Sequence, residues 1–101
     1  MEKRRAHYPL AAIKAAFADP AKLNRSFVSK QGADALGLHD LAVVAVIQGL
    51  AATDFDKSMT SYADSKVWQD VYRTRAAPVA LYVKFTLDTE GAFLLLSFKE
   101  A

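Results

Sequence analysis

The sequence predicts an α+β fold, a small antiparallel β-sheet with N-terminal helices packed on one face. Three observations carry this. Up to Leu50 apolar residues recur at helical spacing, whereas from Phe55 onward they alternate with polar ones. The links within the alternating half, "ADS", "TRAAP" and "DTEG", are short enough for hairpins. At 101 residues, 52% hydrophobic and 24% charged, the chain has apolar mass for one core, so residues 1–101 are expected to form a single domain.

The elements follow in order. A first helix is expected from about Pro9 to Ala18: proline suits the first helical position, Leu10, Ile13 and Phe17 share a face, and Pro20 ends it. A short edge strand is expected around Asn24–Val28. "QGADALGL" predicts a single helical turn, with Gly37 in the left-handed cap. Asp40 is expected to cap a second full helix, "LAVVAVIQGL", which is apolar on almost every side and so predicted to be buried against a sheet. Its β-branched residues also suit a strand; length and the acidic cap favour the helix.

Four strands follow, at about Asp56–Tyr62, Lys66–Arg75, Val79–Asp88 and Ala92–Lys99, joined as an antiparallel meander. In the second of them Trp68, Asp70 and Tyr72 fall on one face, and Val67, Gln69, Val71, Arg73 and Arg75 on the other. In the third, Leu81, Val83, Phe85 and Leu87 oppose Tyr82, Lys84 and Thr86. The last strand is apolar on both sides up to Phe98, which predicts a central position. Trp68 is expected in the core, and Asp54 and Asp56 in capping or turn roles.

Composition narrows the function. The longest apolar run, Leu41 to Ile47, is far below the roughly 18 residues of a membrane span, and "MEKRRAHYPL" lacks the apolar core of a secretion signal. With no cysteine, disulfides and thiolate metal sites are excluded, and the cytoplasm is the expected location. His7 and His39 are isolated and no group has ligand spacing, so neither a metal nor another cofactor is expected. His7 fits packing or capping of the first helix better than acid/base duty. No glycine-rich phosphate loop or base-flanked serine occurs. The net charge is only +2, yet residues 1–30 hold seven cations against Glu2 and Asp19, while residues 31–56 hold four aspartates and no cation. Such a basic first third fits a polyanion partner, and equally a solvated surface.

The alternating half then raises one question. Lys57, Gln69, Arg73 and Arg75 occupy positions where a sheet faces solvent, and Tyr82, Lys84 and Lys99 fall on the same side if the helices cover Leu81, Val83 and Phe85. Each has an ordinary solvated or rim role. Together they also hold what RNA cleavage needs: groups to move a proton from a 2′-hydroxyl and to a departing 5′-oxygen, with cations around the phosphate. Lysine and tyrosine titrate near ~10, and crowded cations lower both values.

Three segments, "MEKRRAHYPL", "ATDFDKSMTSYADSKVWQDVYRTR" and "LLSFKE", resemble the MqsR (motility quorum-sensing regulator) toxins from end to end. The likeness is densest from Asp54 to Arg73, where K-S-M-T-x-Y-x-D precedes W-Q-D-V-Y, and loosest from Pro20 to Leu50. The resemblance implies the toxin of a bacterial type II toxin–antitoxin pair. Such a toxin is a ribosome-independent mRNA interferase that cuts single-stranded mRNA at GC-containing triplets such as GCU, with a fold similar to the RelE/YoeB ribonucleases. It implies neutralisation by an MqsA-like antitoxin, with operator DNA met only through that antitoxin. Carried over, it implies catalytic roles for Lys57, Gln69, Tyr82 and Arg73, and substrate binding by Met59, Arg75, Lys84 and Lys99. The alternative is a non-catalytic nucleic-acid-binding module or transcriptional regulator, against which stands the lack of a helix-turn-helix, zinc finger or RNP-type strand.

Overall fold

The computed structural model describes residues 1–101. Its elements are β1 (Glu2–Lys3), α1 (Leu10–Ala16), α2 (Phe27–Ala35), α3 (Asp40–Gln48), β2 (Phe55–Thr60), β3 (Trp68–Ala76), β4 (Val79–Leu87) and β5 (Phe93–Glu100), with short 3₁₀ turns at Pro20–Lys22 and Ala52–Asp54. All five strands pair antiparallel in sequence order. The α+β expectation and the meander are therefore correct. The added β1 was not foreseen, because two polar residues carry no period.

The helices cover one face. Ile13 and Phe17 of α1, Ala33 of α2 and Val43 and Ile47 of α3 meet Tyr72, Leu81, Val83, Phe85, Leu95 and Phe98 of the sheet in one core cluster. The alternation along β3 and most of β4 follows from this, but it breaks at the end of β4, where Thr86 is buried and donates to the Trp68 carbonyl while Leu87 is 38% exposed. Tyr72 lies beside Val83 and Arg73 beside Tyr82, as antiparallel register requires.

Four local expectations need correction. α2 is a nine-residue helix rather than one turn, begun by Ser26, whose hydroxyl accepts from the Ser29 amide at 3.0 Å. The strand expected at Asn24–Val28 shrinks to a single parallel bridge, Arg25 to Leu95. His39, not Asp40, is the N-cap of α3; Asp40 is its first helical residue and pairs with Arg25. α3 is also not buried all round, since Leu41 is 65% exposed although Val43 and Ile47 are fully covered.

β5 is the last strand of the sheet, not a central one. Its outer edge is nonetheless occupied. The Leu95 amide donates to the Asn24 carbonyl (2.9 Å), the Ser26 amide to Leu95 (3.0 Å), and the Ser26 hydroxyl to the Leu96 carbonyl (2.8 Å). α2 then lies so close that a Cβ on Gly32 would fall 1.9 Å from the Phe98 carbonyl oxygen. An apolar strand covered along its edge by a loop and a helix looks central in sequence. Gly37 does take the left-handed conformation after α2, with φ +71°.

One buried carboxylate fastens the N-terminus to this frame. Asp70 is fully buried and accepts from the amides of His7 (3.0 Å) and Tyr8 (2.9 Å) and from the Ser58 hydroxyl (2.6 Å). It thereby ties β2, β3 and the lead-in to α1 at a single point.

Candidate active site

No helix covers the other face of the sheet, and register decides what gathers there. One row runs Lys57–Val71–Lys84–Ser97 across β2, β3, β4 and β5, and the adjoining row runs Arg73–Tyr82–Lys99 across β3 to β5. Gln69 stands opposite Met59, which is opposite Glu2 on β1. The structure thus brings together Lys57, Met59, Gln69, Arg73, Tyr82, Lys84 and Lys99. Lys99, near enough to the end to have frayed, lies within β5.

Tyr82 is the centre of the second row. The Arg73 guanidinium lies 5.4 Å and the Lys99 ammonium 5.2 Å from its ring centroid, both within cation–π range. Val71 at the centre of the first row is fully buried although no helix covers it. Its cross-strand neighbours on the same face are Lys57 and Lys84, long side chains whose aliphatic stems can shield it. Burial lowers the Lys84 pKa from the usual lysine value, and the charges of Lys99 and Lys57 lower it further. The cation crowding expected from sequence therefore exists, and it acts on Lys84.

Two acids that sequence reasoning left outside the site belong to its frame. Glu2, carried in by β1, holds Lys57 in an ion pair at 3.1 Å. Asp56 is the extra residue of a bulge in β2, where Phe55 faces Tyr72 and Lys57 faces Val71, and it accepts from Arg73 Nε at 3.1 Å. The expected turn role of Asp56 thus gives way to a charge partner, while Asp54 does cap, accepting from the Ala51 amide at 2.8 Å. Lys84 and Lys99 enter none of the chain's four ion pairs. Two unpaired ammoniums beside an arginine and a phenol give this part of the open face a positive potential.

Arg75 stands apart from the cluster. It sits near the β3–β4 turn and donates to the Pro78 carbonyl at 3.1 Å. Trp68 is only half-buried, a correction to its expected core position, because it closes the sheet edge under His7. His7 stacks on the Trp68 ring at 5.3 Å, and its backbone amide is bound by Asp70. The expected packing or capping of the first helix gives way to packing on Trp68, and α1, whose N-cap is Pro9, has no side-chain cap. Burial and neighbouring Lys3 lower the His7 pKa, against the opposite pull of Asp70.

Residues 5–100 match the family described as motility quorum-sensing regulator, toxin of MqsA. The mRNA interferase toxin MqsR of Escherichia coli (strain K12) is 42% identical over 100 residues, covering 99% of each chain. A full-length match at that identity, together with the family match from Arg5 to Glu100, leads to one conclusion: the chain belongs to the motility quorum-sensing regulator (MqsR) toxin family.

Proposed function

We propose that this chain is the toxin of a type II toxin–antitoxin pair and acts as an mRNA interferase, an endoribonuclease that halts translation by cutting single-stranded mRNA. The observation that carries this reading is the row Arg73–Tyr82–Lys99 lying beside Lys84 and, across Val71, Lys57. RNA brings its own nucleophile. The 2′-oxygen attacks the adjacent phosphorus, the bond to the 5′-oxygen breaks, and the products are a 2′,3′-cyclic phosphate and a 5′-hydroxyl. Lys57 and Tyr82 exchange the two protons, one accepting from the 2′-hydroxyl and the other donating to the departing 5′-oxygen. Arg73, Lys84 and Lys99 surround the phosphate oxygens as charge builds in the transition state. Gln69 positions a phosphate oxygen or a base edge, and Met59 packs against a base. Arg75, tied to the turn, contacts the RNA backbone at the rim of the groove.

The finer points of the reading follow the family. The fold is of the RelE/YoeB ribonuclease class, cleavage falls at GC-containing triplets without the ribosome, and an MqsA-like antitoxin neutralises the enzyme in the cytoplasm. Operator DNA is contacted through that antitoxin alone. Support comes from the family description, which names the toxin's partner, and from a relative named for mRNA interferase activity. The test is incubation of the purified protein with a defined single-stranded RNA in EDTA. Cuts at fixed positions, lost in Lys57→Ala and Tyr82→Phe, are expected. RNA binding without cuts would favour a non-catalytic module instead.

A further inference from the structure

The helices leave a gap on the covered side of the sheet, near its β1–β2 edge. A cavity of about 450 Å³ opens there, lined by His7, Pro9, Leu10, Ala52, Phe55 and Tyr72 among others. Its size is that of a small-ligand pocket, and its walls are apolar and aromatic. One polar group inside is unused. Tyr72 is 1% exposed as a whole, but its hydroxyl donates no hydrogen bond within the protein and is not a buried unpaired atom, so it is the part that meets the cavity; Tyr8 next to it donates to the Trp68 carbonyl at 2.8 Å. Burial and the charge of Asp70 push the Tyr72 pKa up to about 12, so the hydroxyl remains a donor throughout the physiological range.

The rim has the opposite character. Lys3 Nζ lies 4.1 Å from the Trp68 ring centroid and 2.8 Å from His7 Nδ1. Arg4 and Arg5 are exposed and enter no ion pair. An apolar, aromatic-walled hollow with one unpaired hydroxyl inside, Lys3 bound to its His7 wall and Arg4 and Arg5 just before Ala6 of its lining matches a flat neutral group flanked by anions. An unpaired nucleobase between its own phosphates is such a group.

The route from the cleavage face is short. On β1 the neighbouring residues Glu2 and Lys3 look to opposite faces, Glu2 to Lys57 and Lys3 to Trp68. An RNA strand leaving Lys57 has only this two-residue strand to round. We propose that the cavity lined by Tyr72, Phe55 and His7 holds one base of the bound RNA, a few nucleotides from the cut, with the adjoining phosphates on Lys3, Arg4 and Arg5. The inference rests on the reading of the chain as a ribonuclease and adds a second point of contact outside the cut site.

Two variants and two substrates test it. Ala52→Trp fills the cavity from an exposed turn, and Tyr72→Phe deletes a hydroxyl that has no partner in the protein. Each is assayed on a tetranucleotide containing the cut site and on a twelve-nucleotide RNA extending to both sides. Relative to wild type, the ratio of kcat/KM on the long RNA to that on the short one should fall on the order of tenfold in Ala52→Trp, as expected for one stacked base, and roughly threefold in Tyr72→Phe, as expected for one neutral hydrogen bond, with the change in KM. Replacing the captured nucleotide of the long RNA by an abasic residue should cause the same loss in wild type and no further loss in Ala52→Trp. An unchanged ratio in both variants, or an abasic scan that finds no sensitive position beyond the cut site, overturns the proposal. So does unchanged RNA handling accompanied by weakened antitoxin binding, which would assign the cavity to a protein side chain. If wild type cuts neither RNA, the ribonuclease reading fails separately. Anisotropy of the long RNA then judges the cavity, with equal affinity in wild type and both variants refuting it.

Discussion

Asp70→Asn should unfold this protein more readily than any surface change, and the structure sets the size of the effect. The carboxylate receives the His7 and Tyr8 amides and the Ser58 hydroxyl at 2.6–3.0 Å in a fully buried position. Asparagine keeps one acceptor oxygen for the two amides but loses the charge and sets an NH₂ group against Ser58, which can accept only one of its two N–H bonds. At least one hydrogen bond to a charged acceptor is lost, and one N–H is left buried and unpaired, so the cost is about 2–4 kcal/mol. A domain of this length loses about 4–8 °C of Tm per kcal/mol, so a fall of roughly 10–25 °C is expected. Urea unfolding followed by Trp68 fluorescence measures it, since that ring lies beside the His7 tether. Amide exchange at His7 and Tyr8 should accelerate together. A loss below about 1 kcal/mol, with those amides still protected, would refute the view that Asp70 anchors the N-terminal segment.

Other outcomes follow from the same geometry. Lys84→Met keeps a long stem beside Val71 while removing a cation from between Lys57 and Lys99; it should raise stability by about 1 kcal/mol yet cut cleavage roughly a hundredfold, both read from one preparation. Stability should drop as pH rises from 10 toward about 12, because unfolding releases the Tyr72 proton that the folded state retains; Tyr72→Phe should flatten this alkaline slope. Gly32→Ala would press a methyl group into the Phe98 carbonyl and should cost at least about 1–3 kcal/mol by moving α2 off β5, measured as a lower urea midpoint. RNA affinity should fall steeply with salt if Arg73, Lys84 and Lys99 meet phosphate as proposed; a flat response would count against the groove.

What the sequence revealed follows from how each part is buried. β3 and β4 are covered on one face and open on the other, so their alternation exposed both the fold class and the shared side of Gln69, Arg73, Tyr82 and Lys84. α2 was legible only in its second half. Phe27 and Val28 open it with side chains 74% and 66% exposed, and such a pair after Asn24 imitates a strand when the Ser26 cap is overlooked. β5 misled for a different reason: its edge is paired by Asn24 and Ser26, a contact across some seventy residues that no local pattern records.

The same limit applies to the site. Its cations could be named from their positions in the strands, but Glu2 joins Lys57 only because β1 pairs with β2, and Asp56 reaches Arg73 only through a bulge. Neither register nor an inserted residue is visible before the strands meet. The cavity beside Tyr72 was equally hidden, since it forms where the α1 lead-in and the 3₁₀ turn at Ala52–Asp54 fail to close over the sheet. The lines of sequence that carry the family likeness also carry this scaffold: in W-Q-D-V-Y, Gln69 faces the open side while Asp70 and Tyr72 build the anchor and the cavity behind it.

The central claim is that the open face transesterifies RNA through the substrate's own 2′-oxygen. The most direct measurement is cleavage of one RNA in EDTA, with and without a single 2′-deoxy substitution at the cut position. The account predicts cutting of the unmodified RNA to a 2′,3′-cyclic phosphate and none at the substituted position. Cleavage that persists at the deoxy position would contradict it.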